Sequence, residues 1–137
     1  PLAGARGTRD TTVTAHLYDV YGNRGADVAR LAATDPELAR PLSLKHPDIR
    51  AQVVFAVRHE HAVTVEDFIR RRSLLGAAAD QGWDAAAAVA AIMGAELGWS
   101  PERRARELET YARDIERTQA FRSGVRDRAV GAGRHDG

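Results

Sequence analysis

Five histidines, a run of three arginines and a serine on a helix are the residues of this chain that could do chemistry. His59-Glu60-His61 sets two imidazoles around a carboxylate, which is a metal-ligand composition. On a helix, though, side chains at i and i+2 diverge by about 200°, and two helical ligands need i,i+3 or i,i+4 spacing. The tripeptide therefore reads as polar residues at a helix end, and no metal site is expected. Ser73 follows Arg70, Arg71 and Arg72 with no base in its own neighbourhood, so it reads as a capping or packing residue and not a nucleophile. Gly22 and Gly25 flank two residues between helices, and Gly131 and Gly133 lie near the end of the chain. Neither pair stands between a strand and a helix, where a phosphate cradle needs its glycines. Arg70-Arg71-Arg72 could touch an anion, but only Arg70 points clearly away from the apolar stripe of its helix. The run is not one basic patch.

These residues are carried by Ile49–Leu75, which reads as two helices joined by a short break. In the first, Ile49, Val53, Ala56 and Val57 share one face, and Val54 and Phe55 add apolar surface elsewhere, as in a helix surrounded by protein. Thr64 is a good N-cap for the second, with Glu66 and Asp67 in its first turn, where carboxylates suit the positive end of the helix dipole. Val65, Phe68 and Ile69 form its stripe. Each stripe contains a misplaced charge: Glu60 falls among Ile49, Val53 and Val57, and Arg72 among Val65, Phe68 and Ile69. Such charges are tolerated near a core mainly when paired. The expectation is a partly buried pair of Glu60 with Arg72, or with Arg71. The alternative is that Glu60 accepts backbone N–H groups from the second helix.

Residues 1–10 read as a glycine-rich linker, and residues 11–121 as one helical domain. Thr11 or Thr12 caps a short helix through His16, Leu17, Val20 and Tyr21, with Gly22 at its C′ position. A second runs from about Ala26 to Ala33, with Val28, Leu31 and Ala32 inward. Pro36 and Pro41 bracket a brief helical turn within a loop. After Gly76 comes a connection, then a helix from roughly Asp84 to Leu97 closed by Gly98. Ser100-Pro101-Glu102 starts the last helix, with Leu108, Tyr111, Ala112 and Ile115 inward. Its outer face carries Glu102/Arg106 and Glu109/Arg113 at i,i+4. Residues 122–137 lack a sustained period and read as a disordered tail. No strand is expected. The fold class is all-α, a compact bundle of about five or six helices.

The composition fits a single domain of 137 residues. Hydrophobic residues make up 44%, enough for a core, but only 6% are aromatic, so burial per residue is modest and a neighbouring surface could add stability. A net charge of +1 argues against a dedicated nucleic-acid binder. Lys45 is the single lysine among 20 basic residues, a bias of GC-rich, bacterial coding more than of function. Disulfides and thiol catalysis are excluded because there is no cysteine. No apolar run reaches the ~18–20 residues of a membrane span, and no signal peptide is visible. With Pro1 first and no initiator methionine, the chain looks excised from a longer polypeptide.

The central stretch resembles the C-terminal domain of FAD-dependent (aerobic) glycerol-3-phosphate dehydrogenases and alpha-glycerophosphate oxidases. In that family a helix ending in an R-x-E type sequence precedes a segment of the type E-D-x-L-x-R-R-T-x-L. The similar residues here are Arg58 and Glu60, then Glu66, Asp67, Ile69, Arg71, Arg72, Ser73 and Leu75. Segments on either side are also similar, from about Thr12 to Tyr111. Ser73 stands where threonine is usual and Leu74 where a basic residue is common. Serine keeps the capping hydroxyl, whereas Leu74 removes any ionic contact the basic residue makes. The resemblance implies an enzyme oxidising sn-glycerol 3-phosphate to dihydroxyacetone phosphate, with electrons passing through FAD to quinone, or to oxygen in the oxidases. It implies that FAD and substrate are held by an N-terminal region of the same polypeptide, and that this chain is an accessory piece, inactive alone, with no catalytic, cofactor-binding or metal residue. A cytoplasmic location, or one peripheral to the inner membrane, follows from the family only. A free-standing helical interaction module is the alternative, told apart by the absence of an upstream G-x-G-x-x-G after a strand.

Overall fold

The computed structural model describes residues 22–135; the linker expected over 1–10 and the first helix expected over 11–21 lie outside the described residues. A 3-10 turn, Gly22–Arg24, leads into α1, Gly25–Thr34. Val28 is fully buried on its inner face. A turn over 35–40 follows, its N–H groups bonding back to carbonyls three residues earlier.

The expectation of no strand is wrong at the next step. β1 (Pro41–Ser43) and β2 (His46–Ile49) pair antiparallel, with Pro41 opposite Ile49 and Ser43 opposite His46. Pro41 and Pro47 each stand in one of these strands. In a two-stranded sheet both strands are edges, and a missing N–H can face outward without breaking a ladder. The connecting residues Leu44-Lys45 also lack the Asn-Gly or Asp-Gly signature of tight hairpins. The hairpin buries Leu42 in the main core and presents Asp48 and Ile49 inward to start the next helix.

That helix is α2, Arg50–His59. Its first N–H groups find partners outside it: Arg50 N–H donates to the Arg40 carbonyl at 3.0 Å and Ala51 N–H to the Leu38 carbonyl at 2.8 Å. Fully buried Gln52 accepts the Ile49 N–H at 2.8 Å and donates to the Asp48 carboxylate at 2.8 Å. A polar residue inside the helix is thus satisfied at both ends of its amide. Residues Val53, Val54, Phe55 and Ala56 are all buried, the surrounded helix that the apolar run predicts.

α3 (Val65–Arg71), a 3-10 turn (Leu75–Ala77), α4 (Trp83–Leu97) and α5 (Pro101–His135) complete the order. Phe68 and Ile69 of α3 meet Ala86, Val89, Ala90 and Met93 of α4 and Tyr111 and Ile115 of α5 in one cluster. The alanines of α4 let helices approach closely, and fully buried Phe68 and Ile69 each contribute about 1.5–3 kcal/mol. A second cluster, Val28, Ile49, Ala51 and Phe55, joins α1 to α2. Ser100 caps α5, accepting the Arg103 N–H at 3.1 Å. Among the described residues Glu109 pairs with Arg113, whereas Glu102/Arg106 is replaced by Arg103–Glu107 at 3.0 Å. The helix continues to His135, beyond Phe121, where the apolar period ends and the sequence predicts a tail.

Candidate functional site

The charged residues singled out by the sequence lie at the ends of α2 and α3 and where these two helices meet α4 and α5. Glu60 is the C-cap of α2, its N–H donating to the Ala56 carbonyl at 3.0 Å. Its carboxylate is 7% exposed and meets Arg72 Nη1 at 3.0 Å, with Arg24 Nη1 at 3.8 Å. Arg72, not Arg71, is therefore the arginine that reaches it; Arg71 is exposed. Asp67, not Glu60, accepts the N–H groups ahead of α3, from Val63 and Thr64 at 3.2 Å each. The Thr64 hydroxyl accepts the Asp67 N–H at 3.0 Å, closing a reciprocal cap. Glu107 of α5 adds to this start by accepting the Val65 N–H at 3.3 Å.

Arg58 forks onto Glu96, Nε and Nη2 each 3.0 Å from a carboxylate oxygen, and ties α2 to the last turn of α4. That charge-assisted hydrogen bond, against a smaller desolvation cost, raises the guanidinium further above its ordinary range. The Ser73 hydroxyl donates to the Ile69 carbonyl at 2.8 Å and accepts the Leu75 N–H at 3.2 Å, finishing α3. His59 packs its ring on Phe55, centroids 4.9 Å apart, and His61 has a left-handed backbone conformation, φ 58°.

A polar cluster that the sequence did not single out sits between α3, the turn before α4, and α5. Arg70 donates through Nη2 to Gln81 Oε1 at 2.8 Å and to Thr118 at 3.5 Å. Its Nε lies 3.5 Å from Asp114 and 3.7 Å from Glu66, and its guanidinium stands over the Tyr111 ring at 5.5 Å. The Tyr111 hydroxyl donates to the Gln81 carbonyl at 2.5 Å. Burial, above all, pushes that phenol up to about 12, although the Arg70 charge acts against it. Burial and then the nearby Asp114 carboxylate likewise raise Glu66, against the opposing pull of Arg70. The signal available in the sequence was the line Tyr111, Asp114, Thr118 at i, i+3, i+7, a polar strip down the inner face of α5.

One group of possible metal ligands occurs among the described residues: His46, Asp80 and Asp84, with one donor atom each within 4.8 Å of the others. Both carboxylates already serve the start of α4. Asp80 accepts the Gly82 N–H at 3.0 Å and the Asp84 N–H at 3.1 Å, and Asp84 accepts the Ser43 hydroxyl. Burial pushes Asp80 up, but those two N–H groups and the Lys45 charge hold it below its ordinary range. The described residues also do not fit FAD. The sheet is an antiparallel hairpin, without the glycine-rich strand-to-helix turn that receives a dinucleotide's phosphates. What the arrangement does chemically is fasten helices to one another.

Comparison with known proteins places the chain in a family. The family model of the C-terminal domain of alpha-glycerophosphate oxidase matches residues 3–104. A glycerol-3-phosphate dehydrogenase of Synechocystis is 36% identical over 97 residues, covering 70% of this chain and 18% of the relative. The mitochondrial glycerol-3-phosphate dehydrogenase of Rattus norvegicus is 32% identical over 119 residues, 83% of this chain and 16% of the relative. Glycerol-3-phosphate dehydrogenase 2 of Mycobacterium tuberculosis is 31% identical over 102 residues, 74% and 17% respectively. The chain thus spans less than a fifth of the length of these relatives. No solved structure matches it. With its helical bundle and more than two thirds of its length aligned, this chain belongs to the family of the C-terminal domain of alpha-glycerophosphate oxidase, shared with the glycerol-3-phosphate dehydrogenases.

Proposed function

We propose that this chain is the accessory C-terminal domain of an FAD-dependent glycerol-3-phosphate dehydrogenase. The enzyme would oxidise sn-glycerol 3-phosphate to dihydroxyacetone phosphate and pass electrons through FAD to quinone. FAD and substrate belong to an N-terminal oxidoreductase portion of the same polypeptide, and this chain supplies no catalytic group. The observation that supports the reading is the use of the family-like polar residues: Arg58, Glu60, Asp67, Arg72 and Ser73 all bond within the bundle, to partners on neighbouring turns or helices. Arg71 and half-exposed Glu66 of α3 are left at the surface.

Among the described residues no helix is long and apolar enough to cross a membrane. A cytoplasmic enzyme, or one peripheral to the inner membrane, is the location proposed. The test is to express the chain alone and within the longer polypeptide, then measure bound flavin and glycerol-3-phosphate-dependent reduction of a quinone analogue. The chain alone should give neither, and the longer polypeptide both. A longer polypeptide that folds but binds no flavin would overturn the reading.

A further inference from the structure

We infer that the tip of the hairpin and the first turn of α4, centred on Leu44 and Trp83, form the face that docks on the oxidoreductase portion of the longer enzyme. The inference rests on the function proposed above and adds which face is covered. Leu44 is 100% exposed and Trp83 46% exposed. The Ser43–Asp84 hydrogen bond joins their immediate neighbours, so the two apolar side chains belong to one end of the bundle.

Local structure gives Leu44 no task. It occupies a two-residue hairpin connection in which neither Leu44 nor Lys45 has positive φ, so the backbone admits leucine there without requiring it. Leu74, Leu97 and Phe121 are also exposed, and Val63 holds the N′ position ahead of the Thr64 cap, where an apolar residue commonly staples a helix start. An aromatic and a leucine inside a polar rim, here Lys45, His46, Asp80 and Asp84, is the composition of a protein-binding anchor. The occupant is set by length. Relatives of this chain are more than five times as long as the stretch that matches it, so most of such an enzyme lies outside this bundle.

Site-directed labelling tests this. The chain has no cysteine, so Leu44→Cys and Val63→Cys can be compared one at a time in the longer polypeptide, cleared of other cysteines, by the rate of maleimide modification. From this bundle alone position 44 should react faster than position 63, which is 54% exposed. Docking reverses the order, with position 44 at least about tenfold slower because a covered site is reached only through local opening. Retention of the original order overturns the proposal. So does protection that disappears on dilution, which marks a second copy as the occupant. The labelling reads coverage and not turnover, so an inactive polypeptide with position 44 covered would count against the function and not against the face.

Discussion

Arg72 and Glu60 are unequal partners: Nη1 and Oε2 are 3.0 Å apart, yet the glutamate is 7% exposed and the arginine 42%. Glu60 caps the C-terminal end of α2, where the last carbonyls already concentrate negative charge. Removing the arginine leaves a buried carboxylate with Arg24 at 3.8 Å. Removing the carboxylate leaves arginines that can turn to water. Arg72→Ala should therefore cost about 1.5–3 kcal/mol and Glu60→Gln only about 1 kcal/mol. Urea unfolding of both variants checks the asymmetry. Equal costs would show that burial of the carboxylate does not matter.

In the Arg70-Arg71-Arg72 run the outcome should differ sharply from one residue to the next. Arg70 connects three segments through Gln81, Thr118, Asp114 and Glu66, whereas Arg71 is exposed. Arg70→Ala leaves Gln81, already carrying a buried Nε2 with no partner, without its bond on Oε1 as well. The expected loss is about 2–4 kcal/mol, against about 0.5 or less for Arg71→Ala. Lysine at position 70 should recover only part, because an ammonium cannot both reach Gln81 and lie flat over Tyr111. Thermal unfolding of the three variants decides it.

What was legible in the sequence follows how local each interaction is. Caps at Thr64 and Ser100 were readable because donor and acceptor are separated by one helical turn. That Glu60 needs an arginine was readable from its place on the wheel. The wheel also puts Arg72 first, on the α3 stripe, but leaves Arg71 open, because the final choice depends on how the ends of α2 and α3 are placed. Arg70 looks outward in the sequence for a related reason: its partners at 81, 111, 114 and 118 come near only once the chain folds and α5 docks. The hairpin was hidden by its two prolines and by a connection without turn residues.

Alkaline and acid titrations should show opposite signs for two residues of the Arg70 cluster's surroundings. Tyr111 has its phenol pushed up from 10.0 to about 12 by burial, so the folded state keeps a proton that the unfolded chain releases. Its contribution is complete below about pH 10 and is lost as pH rises toward 12. Tyr111→Phe should lower stability at neutral pH and flatten that alkaline fall. Asp80 behaves oppositely: its carboxyl is held low, so its contribution is present above the ordinary carboxylate range and lost as pH falls through it. Asp80→Asn should flatten the acid limb. Unfolding free energy against pH for wild type and both variants tests the signs.

Glu66 carries a third, counterintuitive sign. Burial and the Asp114 carboxylate raise it, so the folded state favours the protonated acid and loses stability as pH rises from about the usual glutamate value toward the raised one. Glu66→Gln should therefore be neutral in acid and slightly stabilising at pH 7. The gain is small because the side chain is half exposed and Arg70 offsets part of the repulsion. A loss at pH 7 would mean that the Arg70 contact outweighs both.

Gly82 separates strain from steric conflict. Its φ is +78°, and a Cβ placed there would meet Ile69 Cγ2 and Leu75 Cβ at 2.9 Å, both on fully buried side chains. Gly98 has a similar φ, +71°, with nothing within 4 Å. Alanine at position 98 should thus cost only the left-handed backbone penalty, about 1 kcal/mol. At position 82 the same penalty is joined by overpacking of α3 against the start of α4, for a total of about 2–4 kcal/mol. The difference between the two alanine variants in urea midpoint measures how tightly Gly82 seats the turn that carries Gln81. Equal midpoints would mean that Ile69 and Leu75 can yield, and that the turn's position is set by the Arg70–Gln81 and Tyr111–Gln81 hydrogen bonds alone.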